Sequence, residues 1–334
     1  VQLMIMAIQF AGGLSLFLLS LACMSAALGR VIGPRTRASL SGASVPVAFV
    51  TGLAATALVQ SSTLVSVTLV GLVHAGAIGL GPGFAAVLGA NVGTTVTAQI
   101  AGFRPAWLGW TAAALGAVLM ALAIWDRAGG RATSRAFGGV ASLGFAGIVS
   151  GLSVMAGACR GAFDSNTLRL VLAVASRDKV VAAAVGAAAT AAVQSSALIT
   201  ALLVTLTREG LIQLPGAIAL VVGSNVGTCI ASLVASLPTG REARALAWAN
   251  IVFNTLGAAA VLPFAEPLSK LLALTSVDPG VQLANAHALF NIITAAAVLP
   301  FSRQFVSLFV GRTGERSSID NTSSHRVRGH PGAY

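Results

Sequence analysis

Seven apolar runs constrain this chain more than any other feature of its sequence. Each is long enough, or nearly so, for the roughly 20 apolar residues that a helix needs to cross a bilayer. Charged residues make up only 9% of the chain, against about 25% in ordinary soluble domains. We therefore expect an all-α polytopic membrane protein, with spans at residues 4–28, 83–100, 105–125, 137–158, 213–237, 243–263 and 281–301.

The charge of the chain predicts its orientation rather than a nucleic-acid partner. The formal net charge is +11, but the basic residues lie in short loops between spans and in the C-terminal segment, as membrane insertion requires. With the N-terminus outside, 13 Lys and Arg fall on the inner side and 7 on the outer side. We expect a multi-pass protein of the cell inner membrane, N-out and C-in, and no nucleic-acid binding. The first run, 4–28, has no preceding Lys or Arg and is about twice a signal-peptide core, so we expect it to be a retained span.

Two polar motifs occur twice, inside apolar sequence where unpartnered polar groups are costly to bury. "TALVQSSTLVS" begins at residue 56 and "TAAVQSSALIT" at residue 190, and "NVGT" occurs at 91–94 and again at 225–228. Both motifs are offset by 134 residues, and 52–98 and 186–232 share 23 identities in 47 positions. The chain is therefore a duplicated unit, an organisation common in transporters.

The duplication gives the predicted domain organisation. A first transmembrane repeat covers 1–125, a polar linker loop covers 126–136, and a second repeat with extra spans covers 137–310. Within the second repeat, 264–280 is predicted to be a short surface segment. The polar residues 311–334 are predicted to form a disordered basic tail.

Each "QSS" motif lies in the middle of an apolar stretch, at 44–75 and at 178–207. Either stretch could be one tilted helix whose Ser and Thr bond back to their own helix. The alternative that we favour is a re-entrant hairpin of two half-helices, because non-helical backbone is tolerated at membrane depth where it lines a cavity. With two hairpins, three full spans separate equivalent points, so the repeats are inverted. With two full crossings, four spans intervene and the repeats are parallel.

Glycines flank both "NVGT" motifs and allow two interpretations. Gly89 and Gly93, and Gly223 and Gly227, permit a break in each transmembrane helix, which would free backbone carbonyls for a cation. The same small-residue spacing also serves close helix packing. We predict broken helices, and both roles can coexist.

The motifs resemble those of the type II sodium–phosphate cotransporters over roughly residues 10–300. The resemblance rests on the paired "QSS", on "GANVGTTVTA" at 89–98 and "GSNVGTCIAS" at 223–232, and on "REARALAWANIVFN" at 241–254 and "AHALFN" at 286–291. It implies sodium-driven transport of inorganic phosphate by inverted repeats. It also implies a site between the "QSS" tips and the broken helices.

This sequence departs from the family pattern at several positions. Thr63 and Ala197 stand where members often carry a third Ser, and Asn250 stands where a His often does. The first repeat lacks the Phe-Asn that follows the second motif. Residues 312–334 do not correspond to the helical regulatory domain that many bacterial members carry.

The expected site combines anion donors with cation ligands. A hairpin tip exposes the N-terminus of its returning half-helix, whose free N–H groups and partial positive charge attract anions. The residues predicted to bind phosphate are Gln60, Ser61, Ser62, Thr63, Gln194, Ser195 and Ser196. The residues predicted to bind sodium through neutral oxygens are Gln60, Asn91, Thr94, Thr95, Gln194, Asn225 and Thr228.

The predicted spans contain no Asp or Glu, and neither tip has an Arg or Lys. Proton-coupled carriers usually place a carboxylate or His in the membrane. The two candidates here, His74 and His287, are more often structural or interfacial. A phosphate dianion would therefore need co-bound sodium as its counter-charge. We expect no enzyme activity, no transition metal and no cofactor besides the coupling ion. Transport of another oxyanion such as sulfate, net export, a non-transporting sensor or scaffold, and a homodimer remain open.

Overall fold

The computed structural model describes residues 2–40, 42–103, 106–126, 130–161 and 178–310. Within these ranges the regular structure is helical, without strands. The α-helices in chain order are α1 (Gln2–Leu40), α2 (Val45–Val59), α3 (Ser62–His74), α4 (Leu80–Gly93), α5 (Thr95–Phe103), α6 (Ala106–Trp125), α7 (Gly130–Gly161), α8 (Lys179–Val193), α9 (Ser196–Arg208), α10 (Leu214–Ser236), α11 (Arg241–Val261), α12 (Ala265–Leu272), α13 (Pro279–Val298) and α14 (Ser302–Ser307).

Seven helical stretches of the described chain are long and apolar enough to cross a membrane, which confirms the predicted all-α polytopic class. They are Met4–Leu28, Leu80–Phe103, Trp107–Trp125, Ala132–Met155, Leu214–Ser236, Arg241–Leu272 and Pro279–Ser307. Helix α7 begins at Gly130, inside the segment predicted as a linker at 126–136. The tail predicted at 311–334 lies outside the described residues.

The two stretches that carry "QSS" are each divided into two short helices. α2 and α3 have 15 and 13 residues, as do α8 and α9. The helix ends where Gln60 and Gln194 adopt left-handed backbone conformations, with φ of 58° and 57°. A single continuous helix is therefore not observed in either stretch. The duplication extends to the following turns, where Gly76 and Gly210 have φ of 68° and 72°.

Glycines bring the first arm of each pair into backbone contact with the next long helix. A Cβ at Gly89 of α4 would lie 2.0 Å from the carbonyl oxygen of Phe49 on α2, and one at Gly93 would lie 2.6 Å from that of Leu53. In the second repeat, a Cβ at Gly223 would lie 1.9 Å from the carbonyl oxygen of Ala183 on α8. Since Gly89 contacts Phe49 and Gly93 contacts Leu53, residue numbers increase in the same direction along both helices, so α2 runs parallel to α4.

The predicted helix breaks are wrong for the second repeat. α10 continues without interruption from Leu214 to Ser236, through both Gly223 and Gly227. In the first repeat, α4 ends at Gly93 and α5 begins at Thr95, and Gly89 lies inside α4. The glycines are used for close packing, which requires the absence of a side chain rather than an unusual backbone angle.

The second arms reach elements of the other repeat. α3 packs against α4 but also against α10 and α11, and α9 packs against α5, α10 and α13. At the end of α9, Arg208 Nε donates to the two carboxylate oxygens of Asp278 at 2.8 and 3.0 Å. The Nη1 atom of Arg208 donates to the Ala101 carbonyl at 3.3 Å, and its Nη2 atom donates to the Gly102 carbonyl. At the end of α3, the Gly240 N–H donates to His74 Nδ1 at 3.1 Å. These contacts fix both helix pairs between the two repeats.

Candidate functional site

The two "QSS" tips meet at one cavity of about 280 Å³. This is room for several water-sized groups. Every residue predicted to bind phosphate lines it, together with Thr94, which was predicted to bind sodium. The lining residues are Leu18, Leu21, Ala22, Ser25, Gln60, Ser61, Ser62, Thr63, Leu64, Thr94, Thr97, Gln194, Ser195, Ser196 and Ala197.

The tips have the same local geometry. Ser61 and Ser195 are the N-caps of α3 and α9, with φ of −140° and −139°. Each Oγ accepts from the backbone N–H three residues on, at 3.3 Å, which leaves its own O–H free to donate. Since the first N–H groups of a helix have no partner within it, each tip directs unpaired donors and the positive end of a helix dipole to the cavity.

The two glutamines differ in their surroundings. Gln60 is buried, and its Oε1 accepts a hydrogen bond from Thr97 Oγ1 on α5. Gln194 is exposed to the cavity, and Ala231 occupies the position 134 residues after Thr97. Both side-chain amides donate to a carbonyl three residues back, at Ala57 and Ala191. The Gln60 side chain therefore bonds the first tip to α5, and among the described residues the Gln194 side chain has no equivalent bond.

Helix α1 forms a wall of the cavity that the sequence motifs do not predict. Ser25 donates a hydrogen bond to the Val59 carbonyl at the end of α2, and Leu18, Leu21 and Ala22 supply apolar surface beside it. The available signal was a series of hydroxyl side chains within the predicted span 4–28, at Ser15, Ser20 and Ser25, which did not single out Ser25. Thr97 was also missed, although it lies three residues after the "NVGT" motif.

The other predicted sodium ligands do not line the cavity. Asn91, Thr95 and Asn225 are buried, and Thr228 is half-buried. Thr94 and Thr228 make the same local contact, since each Oγ1 donates to the backbone oxygen of the motif Asn at 2.6 Å. Only Thr94 of this pair faces the cavity.

Asn225 belongs to a buried polar cluster with two residues of α13. His287 Nε2 donates to Asn225 Oδ1 at 3.1 Å, and Asn225 Nδ2 donates to Asn291 Oδ1 at 3.1 Å. Asn291 Nδ2 in turn donates to the His287 carbonyl at 2.9 Å. Both polar atoms of the Asn225 side chain are thus bonded. The sequence signal for this cluster is the His and Asn spaced four residues apart in "AHALFN", on one helix face.

The cavity is electrically neutral as far as side chains are concerned, because none of its lining residues is charged. Its polar atoms are hydroxyls, amides and backbone groups. Such a site can bind an anion through N–H and O–H donors and a hard cation through oxygen atoms. An isolated charge in such surroundings is costly unless it is paired, so an anion and a cation stabilise each other there.

Comparison with known proteins gives a consistent family. The sequence profile described as "Na+/Pi-cotransporter" matches residues 16–157 and 148–274. The chain is 31% identical over 246 residues to "Putative inorganic phosphate export protein YjbB" of Salmonella typhimurium and 30% identical over 251 residues to the protein of the same name in Escherichia coli K12. These matches cover 73% and 74% of this chain but 44% and 45% of the relatives, so the chain spans less than half their length.

A shorter relative is covered more fully. The chain is 31% identical over 238 residues to "Uncharacterized protein YqeW" of Bacillus subtilis strain 168, covering 71% of this chain and 75% of that protein. No solved structure matches the chain.

Proposed function

Because the chain belongs to the Na+/Pi-cotransporter family, we propose that it carries inorganic phosphate across the cell inner membrane by sodium-coupled symport with alternating access. The observation that carries the proposal is the meeting of both "QSS" tips at one uncharged cavity. The protein then acts as a carrier rather than an enzyme, and sodium is its coupling ion rather than a cofactor.

Phosphate would be bound by the tips. The first N–H groups of α3 and α9, with the hydroxyls of Ser61, Ser62, Ser195 and Ser196, are donors that match the acceptor oxygens of a tetrahedral anion. Thr63 adds a hydroxyl on one side, and Ala197 leaves its side apolar. The site is therefore asymmetric in its donors although its backbone is nearly symmetric.

Sodium would supply the charge that the protein does not. No Arg or Lys lines the cavity, so a phosphate dianion has no cationic side chain beside it. A hard cation bound to hydroxyl and amide oxygens next to the anion compensates its charge, and Coulomb attraction between the two is strong in a site of low dielectric. Coupled transport follows because each ion binds weakly without the other.

The fold supports the re-entrant, inverted arrangement that this mechanism needs. α2 runs parallel to α4, while α3 leads into α4 through the turn at 75–79, with Val73 packed at Gly83. α2 and α3 therefore run in opposite directions, and neither is long enough to cross a bilayer. Among the described residues, three candidate spans separate the first helix pair from the second, an odd number that supports entry of the two pairs from opposite sides. The N-out, C-in orientation remains part of the proposal.

The direction of net flux has a specific alternative. The YjbB relatives are named for phosphate export, and a symporter runs in whichever direction the combined gradients of sodium and phosphate dictate. Export by this chain would therefore use the same cavity under a different balance of gradients.

The test is flux of labelled phosphate in proteoliposomes of the purified chain, with an outside-to-inside sodium gradient or with potassium in its place. We expect sodium-dependent accumulation that arsenate competes and sulfate does not, and sodium-dependent efflux when the gradient is reversed. Flux driven by a proton gradient instead would overturn sodium coupling. The absence of flux in folded protein would favour a sensor or scaffold.

Two tip variants and a control assign the flux to the cavity. Gln60→Ala and Gln194→Ala should each abolish coupled flux. Gln213→Ala is the control, because Gln213 is exposed and its side chain makes no capping bond at the start of α10. Full sodium-dependent flux in either tip variant would refute the role of that tip.

A further inference from the structure

The two repeats differ at the positions that would bind the cation. Resting on the proposed function, we infer that sodium is bound by the first repeat together with the tip of the second, at Thr94, Thr97 and Gln194. The second "NVGT" motif is then a structural clamp between α10 and α13 and not a second ion site.

The lining of the cavity differs between the two repeats. Thr94 and Thr97, at the junction of α4 and α5, line the cavity, whereas no residue of α10 does. The positions 134 residues after Thr95 and Thr97 are Cys229 and Ala231. The stretch after the second motif therefore has no hydroxyl at these two positions, where the first has Thr95 and Thr97, and it lies outside the cavity.

The course of the two helices agrees with this difference. The helix is interrupted at Thr94. The Thr94 N–H donates to the Ala90 carbonyl, four residues back, whereas the Thr97 N–H donates to the Thr94 carbonyl, three residues back. α10 shows no such interruption. An interrupted helix beside a cavity is the usual place for cation ligands in carriers of this kind.

The asparagines of the two "NVGT" motifs also differ in their hydrogen bonds. Asn225 has its Oδ1 bonded by His287 and its Nδ2 bonded to Asn291. For Asn91, no described residue pairs with the buried Nδ2 atom. A side chain with both atoms bonded within the fold cannot rearrange around an ion without losing buried hydrogen bonds, each worth about 1 kcal/mol, and leaving a polar group unsatisfied.

Among the side-chain oxygens that line the cavity, those of Thr94, Thr97 and Gln194 are available to bind a cation without displacing the tip hydroxyls. Thr94 Oγ1 donates its proton to the Asn91 carbonyl, and Thr97 Oγ1 donates to Gln60 Oε1, so the lone pairs of both hydroxyls are available. Gln194 uses its Nε2 on the Ala191 carbonyl, and within the described part of the chain no donor bonds its Oε1. Neutral oxygens of this kind suit a hard monovalent cation.

Thr94→Val and Thr228→Val make a matched pair of variants. Each removes one hydroxyl that donates to its motif Asn carbonyl at 2.6 Å, so both variants lose the same local hydrogen bond. Sodium binding to purified protein, with inorganic phosphate present throughout, is read as the rise in melting temperature with sodium concentration, because a ligand that binds the folded state stabilises it. Choline chloride at equal ionic strength is the reference.

We expect Thr94→Val to raise the sodium concentration for half-maximal stabilisation at least tenfold, Thr94→Ser to restore it, and Thr228→Val to stay within twofold of the unchanged chain. Equal shifts in both valine variants, or a shift in Thr228→Val alone, would overturn the inference, as would the absence of sodium stabilisation in the unchanged chain. Stabilisation without phosphate flux would refute the proposed transport while leaving the location of the ion supported.

Discussion

Gly223→Ala tests whether the glycines of the long helices are there for packing. The added Cβ would lie 1.9 Å from the Ala183 carbonyl oxygen and 2.6 Å from its carbon, whereas favourable contacts between heavy atoms lie at about 3.5–4.0 Å. The blocking atoms are backbone and cannot rotate away. α8 must therefore move from α10 by more than about 1 Å to relieve the overlap.

The expected cost follows from two opposing terms. Overpacking of a close contact costs about 1–3 kcal/mol, and Ala in place of Gly in a helix returns up to about 1 kcal/mol. We expect net destabilisation of about 1–2 kcal/mol, seen as a melting temperature lower by a few degrees in detergent. Phosphate flux should fall as well, because α8 ends at Val193, directly before Gln194.

Gly71→Ala is the control for this experiment. Gly71 lies in α3, is exposed, and a Cβ there would meet nothing within 4 Å. This variant should keep or slightly raise the melting temperature, by the helix preference of Ala. Equal stability of Gly223→Ala and the unchanged chain would refute the argument that backbone contact between α8 and α10 requires glycine.

Three further predictions address other contacts. Arg208→Gln should lower stability by about 1–3 kcal/mol, because charged hydrogen bonds to Asp278 are lost, whereas Arg135→Gln, at an exposed pair, should cost less than about 1 kcal/mol; denaturation in detergent compares them. Gln194→Gly should keep or raise the melting temperature by relieving a positive φ yet abolish flux, and retained flux would contradict a role for that side chain. Asp178→Ala should lower the melting temperature through loss of the α8 N-cap, at about 0.5–2 kcal/mol, and an unchanged value would contradict the cap.

The spans could be predicted because their signal is length and polarity alone. All seven predicted runs correspond to helices that can cross a membrane. Their ends were less certain, since caps and neighbouring turns decide them. The run predicted at 243–263 continues as helical structure to Leu272, and α7 begins inside the predicted linker.

The interruptions at "QSS" were predicted from polar residues in an apolar stretch that occurs twice. The sequence did not reveal that a glutamine would take the left-handed conformation at each interruption. Glycine is the usual residue there, and other residues adopt it at a cost of order 1–3 kcal/mol. Gln60 and Gln194 have this conformation because packing on both arms determines the turn.

The glycines of the "NVGT" motifs were misinterpreted for α10 because glycine has two properties. It permits unusual backbone angles, and it lacks a side chain. Sequence alone does not separate these uses. At Gly223 and Gly227 the absence of a side chain is what the fold uses, since α10 is continuous and α8 lies against it.

The clamp on Asn225 could not be predicted because it depends on long-range packing. His287 is 62 residues away in the chain and belongs to an extra span that follows the aligned parts of the repeats. Its spacing from Asn291 indicates a shared helix face. Nothing in that spacing indicates which other helix the face would meet.

The different supports of the two arms in each helix pair have a mechanical consequence. α2 and α8 rest on α4 and α10 at backbone distance, while α3 and α9 reach into the other repeat. Any displacement of one repeat relative to the other must therefore bend each pair at its junction, at Gln60 or Gln194. Because both junctions are also walls of the cavity, such a displacement cannot leave the cavity's shape unchanged.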